Sequence, residues 1–187
     1  MKRYISAVLC TLLLLTSCTG EKAAPDANSC AKYLEENESF FLECVAEMEK
    51  FGEDRIYVAM EADEKKKDSK ARLVSYPKES EDRTEIENEL LEKALTQYGF
   101  RLILFQTASD ARRSVIFSYT KEKDDGIQNG IYYSYDSLPC PWWGRKAELT
   151  RRDGRWIQID RAGNATYYTL KLSEHFYYFE KCGELIA

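Results

Sequence analysis

The chain has 187 residues, of which 44% are hydrophobic and 32% are charged, and its formal net charge is −5. A net negative chain lacks the general basic character that nucleic-acid binding requires, so we expect no nucleic-acid partner. The length suits one domain with a full core.

The first residues have the features of an export signal. Lys2 and Arg3 form a short basic start, and an apolar run follows from Ile5 to Leu15. This run is too short to span a bilayer, which takes about 20 residues. We therefore predict that residues 1–17 are a signal peptide and not part of the fold.

The sequence Leu15-Thr16-Ser17-Cys18 resembles the lipobox of bacterial lipoprotein precursors, in which an aliphatic and two small residues precede a cysteine. The resemblance implies cleavage before Cys18, a diacylglycerol on its sulfur and usually an acyl chain on its new amino group. Several acyl chains hold a protein on a membrane far better than one does. An ordinary secretory signal that is cleaved near Gly20 is the alternative.

The lipobox resemblance also implies the organisation of the rest of the chain. Residues 18–29 become a lipidated tether, residues 30–187 become a single domain, and the membrane becomes a partner through the lipid anchor. We expect a location in the cell envelope, at the outer membrane where the cell has one, because Thr19 is not the Asp that retains enterobacterial lipoproteins at the inner membrane. The resemblance says nothing about the function of the domain.

Export changes how the other cysteines are interpreted. An even number of cysteines in an oxidising compartment predicts disulfides, here two, with free thiols as the alternative. A zinc site is disfavoured because the chain has one histidine, His175, and no Cys-x-x-Cys pair, so we expect neither a metal nor a cofactor. The four cysteines beyond the lipidated one are Cys30, Cys44, Cys140 and Cys182.

The first predicted helix begins at a cap on Asn28 or Ser29 and ends near Lys50, with Cys30 and Cys44 on its apolar stripe. In a continuous helix these two cysteines lie ~21 Å apart, well beyond the reach of a disulfide.

The helix therefore decides the disulfide pairing. If it is continuous, each of its cysteines pairs with Cys140 or Cys182. A break in the polar stretch at residues 36–39 would instead allow Cys30 to pair with Cys44.

Two strands and a second helix are predicted next. The strands are Arg55–Met60 and Arg72–Tyr76, joined by a polar tip. Thr84 and Glu87 have the spacing of a capping box, and the apolar stripe that follows predicts a helix that ends at Gly99.

From Phe100 onward the apolar pattern has a period of two residues, which is typical of strands, and Asp153-Gly154 predicts a tight hairpin. We predict the α+β class, with two helices packed on a curved antiparallel meander sheet of about six to eight strands. The strands predicted in this half are 100–105, 114–120, 131–135, 146–151, 155–160, 165–172 and 176–181.

Adjacent aromatic pairs are the most unusual feature of the predicted sheet. Because neighbouring strand residues point to opposite faces, each pair places one ring on each face. These rings either stabilise the sheet or form an exposed surface that binds a glycan, a peptide or a protein. The candidate binding residues are Trp142, Trp143, Tyr133 and Tyr168.

The segment around the two tryptophans favours a structural role. Pro139 and Pro141 stiffen the chain on either side of Cys140, and tryptophans held in this way typically cover one end of a core. A rigid and partly exposed Trp142 or Trp143 is also how a binding hot spot is built, so both interpretations stay open.

Catalytic signals are few. Any serine or cysteine nucleophile would have to use His175, which lies in a predicted turn, and no pair of carboxylates has a distinctive spacing. Five arginines cluster around one hairpin and point to an acidic partner, unless Glu148, Asp153 and Asp160 neutralise them. These arginines are Arg145, Arg151, Arg152, Arg155 and Arg161.

The sequence thus predicts a lipid-anchored, non-enzymatic binding or interaction module of the cell envelope. The second hypothesis is an inhibitor or immunity-type lipoprotein against a wall-degrading or toxic enzyme, which would present a protruding loop at residues 121–129 or 137–145. The third is an envelope hydrolase, which would place His175 or two carboxylates in a deep pocket.

Overall fold

The computed structural model describes residues 25–52, 54–61, 71–77, 82–107, 112–120, 128–142, 148–159, 163 and 165–181. In this part of the chain, two helices pack on one antiparallel sheet of ten strands. The helices are α1 (Ala27–Glu49) and α2 (Glu89–Thr96). The strands are β1 (Arg55–Glu61), β2 (Arg72–Pro77), β3 (Thr84–Glu85), β4 (Leu102–Thr107), β5 (Arg113–Ser118), β6 (Gln128–Ser134), β7 (Thr150–Arg152), β8 (Arg155–Ile159), β9 (Ala165–Lys171) and β10 (Phe176–Lys181).

The predicted α+β class with an antiparallel sheet is confirmed, but the predicted number of strands and the simple meander are wrong. The strand order is β3-β2-β1-β4-β5-β6-β10-β9-β8-β7. Strand β6 pairs with β10 and not with the next strand in the chain, and β7 forms the far edge. The chain between β6 and β7 therefore crosses from the interior of the sheet to its edge.

Helix α1 begins earlier than predicted. Asp26 is the N-cap, and its carboxylate accepts a hydrogen bond from the Ser29 amide at 2.8 Å. The backbone leaves the helical region at Asn37, which lies inside the polar stretch at residues 36–39. The buried side chains nevertheless keep to one stripe: Cys30, Leu34, Phe41, Cys44, Val45 and Met48.

Helix α2 is shorter than predicted, and the capping box is wrong. Thr84 and Glu85 form the edge strand β3, which pairs with β2, so backbone pairing at the sheet edge replaces the predicted first turn. The N-cap is Asn88, whose side chain accepts from the Leu91 amide at 3.0 Å.

The sheet separates two apolar clusters. We call the side that packs against α1 and α2 the helix face, and the opposite side the cover face. Adjacent tyrosines divide between the faces as predicted, with Tyr132, Tyr167 and Tyr177 in the cover-face cluster and their neighbours Tyr133, Tyr168 and Tyr178 against the helix-face core.

Neither of the two described helices combines the length and the apolar character that a membrane span needs.

Candidate functional site

The described cysteines do not form the predicted disulfides, and this prediction is wrong for them. Cys30 and Cys44 are free, and no bond joins either of them to Cys140. Both lie in the helix-face core, whereas Cys140 lies in the cover-face cluster. The sheet stands between them, and a disulfide needs Cα atoms within about 7 Å. The kink at Asn37 does not bring Cys30 to Cys44, and Cys18 and Cys182 lie outside the described residues.

The two helix cysteines are inert in their surroundings. The exposed fraction is 1% for Cys30 and 0% for Cys44. Burial raises the pKa of each thiol from 9.0 to about 12, because a thiolate has no solvation in the core. Neither group has the low pKa that a nucleophilic or metal-binding cysteine requires.

Residues 137–142, which we call the cover segment, lie on the cover face. Trp142 is 6% exposed and packs on Tyr167 and Phe179, with ring centroids 5.8 and 5.7 Å apart. Lys181 lies over its indole ring at 5.4 Å. The Trp142 ring is therefore part of a core and not an exposed platform, while Trp143 lies outside the described residues.

Three tyrosine hydroxyls from the sheet hold the cover segment. The Cys140 amide donates to the Tyr132 hydroxyl at 3.0 Å, the Tyr167 hydroxyl donates to the Cys140 carbonyl at 2.9 Å, and the Tyr177 hydroxyl donates to the Ser137 carbonyl at 2.5 Å. Burial raises the pKa of all three phenols, so they stay protonated and keep these bonds. The sequence signal for this arrangement was the set of adjacent tyrosine pairs, each of which places one ring on each face of the sheet.

A small cavity lies beneath the cover segment. It has a volume of about 10 Å³ and is lined by residues that include Gln106, Ser114, Cys140 and Tyr167. This is about the space that one water molecule needs, so the cavity is too small for an organic substrate.

The other two candidate aromatic residues lie on the helix face and are half-buried. Tyr133 stacks on His175, with ring centroids 5.2 Å apart. Tyr168 donates a hydrogen bond to Glu180 at 2.6 Å. Each ring thus has contacts within the fold, and Tyr33 is the one aromatic side chain among the described residues that is highly exposed, at 45%.

His175 lies beside a serine, but the geometry does not make a nucleophile. Its Nδ1 is 2.9 Å from the Ser137 hydroxyl and 3.0 Å from the Ser134 carbonyl oxygen. A carbonyl oxygen only accepts, so the contact with Ser134 is a hydrogen bond in the tautomer that has its proton on Nδ1. In that tautomer Nδ1 does not accept the proton of Ser137, which does not favour a nucleophilic serine.

The described residues contain no group of three or more His, Cys, Asp or Glu side chains placed to hold a metal ion.

Several basic side chains at the edge of the sheet form no ion pair with a described carboxylate. Arg151, Arg152 and Arg155 are exposed on the β7–β8 hairpin, whose turn residues Asp153 and Gly154 both have positive φ angles, 50° and 77°. The predicted hairpin is confirmed. Arg145, Asp160 and Arg161 lie outside the described residues.

Two of the three carboxylates that could neutralise this hairpin, Glu148 and Asp153, do not do so. Neither Glu148 nor Asp153 forms an ion pair with Arg151, Arg152 or Arg155, and the ion pairs among the described residues lie elsewhere. Those pairs join Lys50 to Glu47, Arg72 to Glu85, Arg83 to Glu61, Arg112 to Asp136 and Arg113 to Glu49.

Two lysines extend this positive charge across the cover face. Lys171 on β9 and Lys181 on β10 share that face with Arg151, and neither forms an ion pair with a described carboxylate. We call the five side chains the basic surface: Arg151, Arg152, Arg155, Lys171 and Lys181. The sequence pointed to the arginines, but the lysines are 16 or more residues further along the chain and join them only through the strand order.

Comparison with protein-family models, with curated proteins and with solved structures found no match to this chain.

Proposed function

We propose that this chain is a lipid-anchored protein of the cell envelope, and that its folded domain is a non-enzymatic binding module for an acidic partner. The lipobox resemblance at Leu15-Thr16-Ser17-Cys18 supports the anchor. The basic surface supports the binding role, because charge that a fold does not neutralise within itself is available to a partner.

The charge distribution of the whole chain favours this role. Residues 18–99 contain 12 basic and 21 acidic side chains, whereas residues 140–187 contain 8 basic and 6 acidic side chains. A partner of negative charge is attracted to the C-terminal strands and repelled by the N-terminal half, so the asymmetry orients it.

The other two hypotheses have less support. Residues 137–142 are held against the sheet by Tyr132, Tyr167 and Tyr177, which does not favour their use as the protruding loop of an inhibitor. The contact between His175 Nδ1 and the Ser134 carbonyl oxygen does not favour a hydrolase.

The anchor is tested by mass spectrometry of the mature protein together with membrane fractionation of a Cys18→Ser variant. We expect a mature N-terminus at Cys18 that carries acyl chains, and we expect the variant to leave the membrane fraction. Recovery of an unprocessed and unlipidated N-terminus would overturn the anchor.

The binding role is tested by native co-purification, with the wild-type protein compared with an Arg152→Gln/Arg155→Gln variant. We expect an acidic component that the variant loses. Recovery of the same component by both proteins would overturn a role for the basic surface.

A further inference from the structure

The hairpin at the sheet edge places two arginines directly opposite each other. Arg152 on β7 pairs directly with Arg155 on β8, so both side chains lie on the helix face. Side chains in such a pair have Cβ atoms about 5 Å apart. Because these Cβ atoms are so close, both long side chains can reach one carboxylate or phosphate group, which accepts several charge-assisted hydrogen bonds.

Aromatic rings within the fold position two of the arginines. The Arg155 guanidinium lies over the Tyr168 ring at 5.0 Å on the helix face, and Arg151 lies over the Trp156 ring at 5.8 Å on the cover face. Stacking of this kind limits the freedom of a long side chain, which lowers the entropy that an anion must overcome on binding.

The rest of the basic surface is spread widely over the cover face. Strand spacing and register place the Cα atom of Lys171 about 12 Å from that of Arg151 and about 14 Å from that of Lys181. Trp156 belongs to β8, between Arg151 on β7 and Thr169 on β9. Its side chain is half-buried, so part of its ring remains accessible. The surface is thus a set of separate positive points and not a compact patch.

This arrangement selects among negatively charged partners. A flat bilayer cannot contact Arg152 and Arg155 on one face together with Arg151 and Lys171 on the other. A folded protein needs a compact apolar centre, and lysine is depleted from such interfaces. A flexible chain with repeated negative charges can pass around the edge hairpin and reach both faces.

We propose that the basic surface binds an acidic glycan, which is a polysaccharide chain with repeated carboxylate or phosphate groups. Arg152 and Arg155 together hold one anionic group, Arg151, Lys171 and Lys181 hold others, and the accessible part of Trp156 packs against a sugar ring. This inference rests on the proposed binding function and names the partner of the same surface.

The test is a titration of the mature protein, in detergent, with three hexasaccharide-sized probes. The probes are an oligogalacturonate, which has carboxylates, a glycosyl-phosphate oligomer, which has phosphates, and a neutral maltohexaose. We expect binding to at least one acidic probe, with an affinity that falls as salt rises, and no binding to maltohexaose. Equal binding to all three, or binding to none, would overturn the proposal.

Matched variants locate the site. Arg152→Gln/Arg155→Gln should weaken binding of the acidic probe about tenfold or more, because it removes the paired charge-assisted hydrogen bonds. Lys32→Gln/Lys50→Gln changes the net charge equally, on exposed positions of α1 and just beyond it, and should leave the affinity unchanged. Equal losses in both variants would show a general charge effect and would contradict a site at the hairpin.

Two further probes test the other occupants. A poly-glutamate peptide and vesicles that contain phosphatidylglycerol carry similar charge without sugar rings, and we expect both to bind more weakly than the acidic glycan. A stronger response to either would overturn the glycan as the partner. The binding titrations do not depend on the lipid anchor. A protein without the anchor would still bind the acidic glycan, whereas a protein without the glycan site would still be found in the membrane fraction.

Discussion

Arg152 and Arg155 face each other across the two-residue turn at the edge of the sheet, and no described carboxylate forms an ion pair with either. Like charges that lie directly opposite each other in a sheet are destabilising. We therefore expect Arg152→Gln to raise the free energy of unfolding by ~0.2–1 kcal/mol, as measured by urea denaturation.

Arg72→Gln is the matched control for that variant. Arg72 pairs with Glu85 at 2.9 Å across neighbouring strands, so its loss should leave stability unchanged or lower it by up to ~1 kcal/mol. A fall in the free energy of unfolding for Arg152→Gln, in place of a rise, would contradict unrelieved repulsion at the hairpin. A gain in stability together with weaker glycan binding would indicate that this pair is kept for binding and not for the fold.

The tyrosine hydroxyls that hold the cover segment make a second prediction. Tyr132→Phe removes the acceptor of the buried Cys140 amide and the partner of the Thr169 hydroxyl. A buried donor without a partner costs about 1–3 kcal/mol, so we expect a loss of stability in this range and faster hydrogen exchange at the Cys140 amide.

Tyr33→Phe controls for the chemical change in Tyr132→Phe. Tyr33 is 45% exposed, so removal of its hydroxyl should change neither the denaturation midpoint nor the exchange at Cys140. If Tyr132→Phe unfolds at the wild-type midpoint with unchanged exchange, the hydroxyl does not hold the cover segment.

Backbone contact at Gly130 makes a third prediction. A Cβ at this position in β6 would collide with the Phe117 carbonyl oxygen and would lie 2.9 Å from a ring carbon of Phe179. The carbonyl belongs to the neighbouring strand and cannot move without breaking the pairing of β5 with β6. We expect Gly130→Ala to lower the free energy of unfolding by about 3 kcal/mol or more.

Gly52→Ala is the comparison for this substitution. Gly52 has a φ of +66° but no atom within 4 Å of the new Cβ. The substitution should therefore lower the free energy of unfolding by only about 1 kcal/mol, which is the penalty for a left-handed backbone. Similar losses at the two positions, measured by thermal or urea denaturation, would argue against the collision at Gly130.

Local signals in the sequence predicted the elements whose cause is local. The turn at Asp153-Gly154 is one of these, because both residues adopt positive φ, which this pair tolerates. The Thr84–Glu87 capping box failed because β2 offers Thr84 and Glu85 a backbone partner, and no local pattern reveals a strand of two residues.

The parts that the sequence did not predict depend on strand order. The pairing of β6 with β10 joins segments more than 40 residues apart, and it decides which face each later side chain occupies. Without it, Cys140 stayed open as a partner for Cys30 or Cys44, although it lies on the other face of the sheet. For the same reason the arginines of the basic surface were visible in the sequence, whereas Lys171 and Lys181 were not.

Burial of Cys30 and Cys44 makes a prediction about pH. Each thiol has a pKa of about 12 in the folded protein and 9.0 when unperturbed, so the folded state holds its thiol protons more tightly than the unfolded state. The resulting stability is fully present below pH 9.0 and is lost as the pH rises from 9.0 toward about 12. Urea denaturation between pH 8 and pH 11 should therefore show a falling midpoint, and a Cys44→Ala variant should show a smaller fall, though from a lower starting stability.

In the folded wild-type protein at pH 8, a thiol reagent should leave both cysteines unmodified until urea is added. Rapid labelling of Cys30 and Cys44 without urea, or a disulfide-linked peptide that contains either residue, would contradict their placement in the helix-face core.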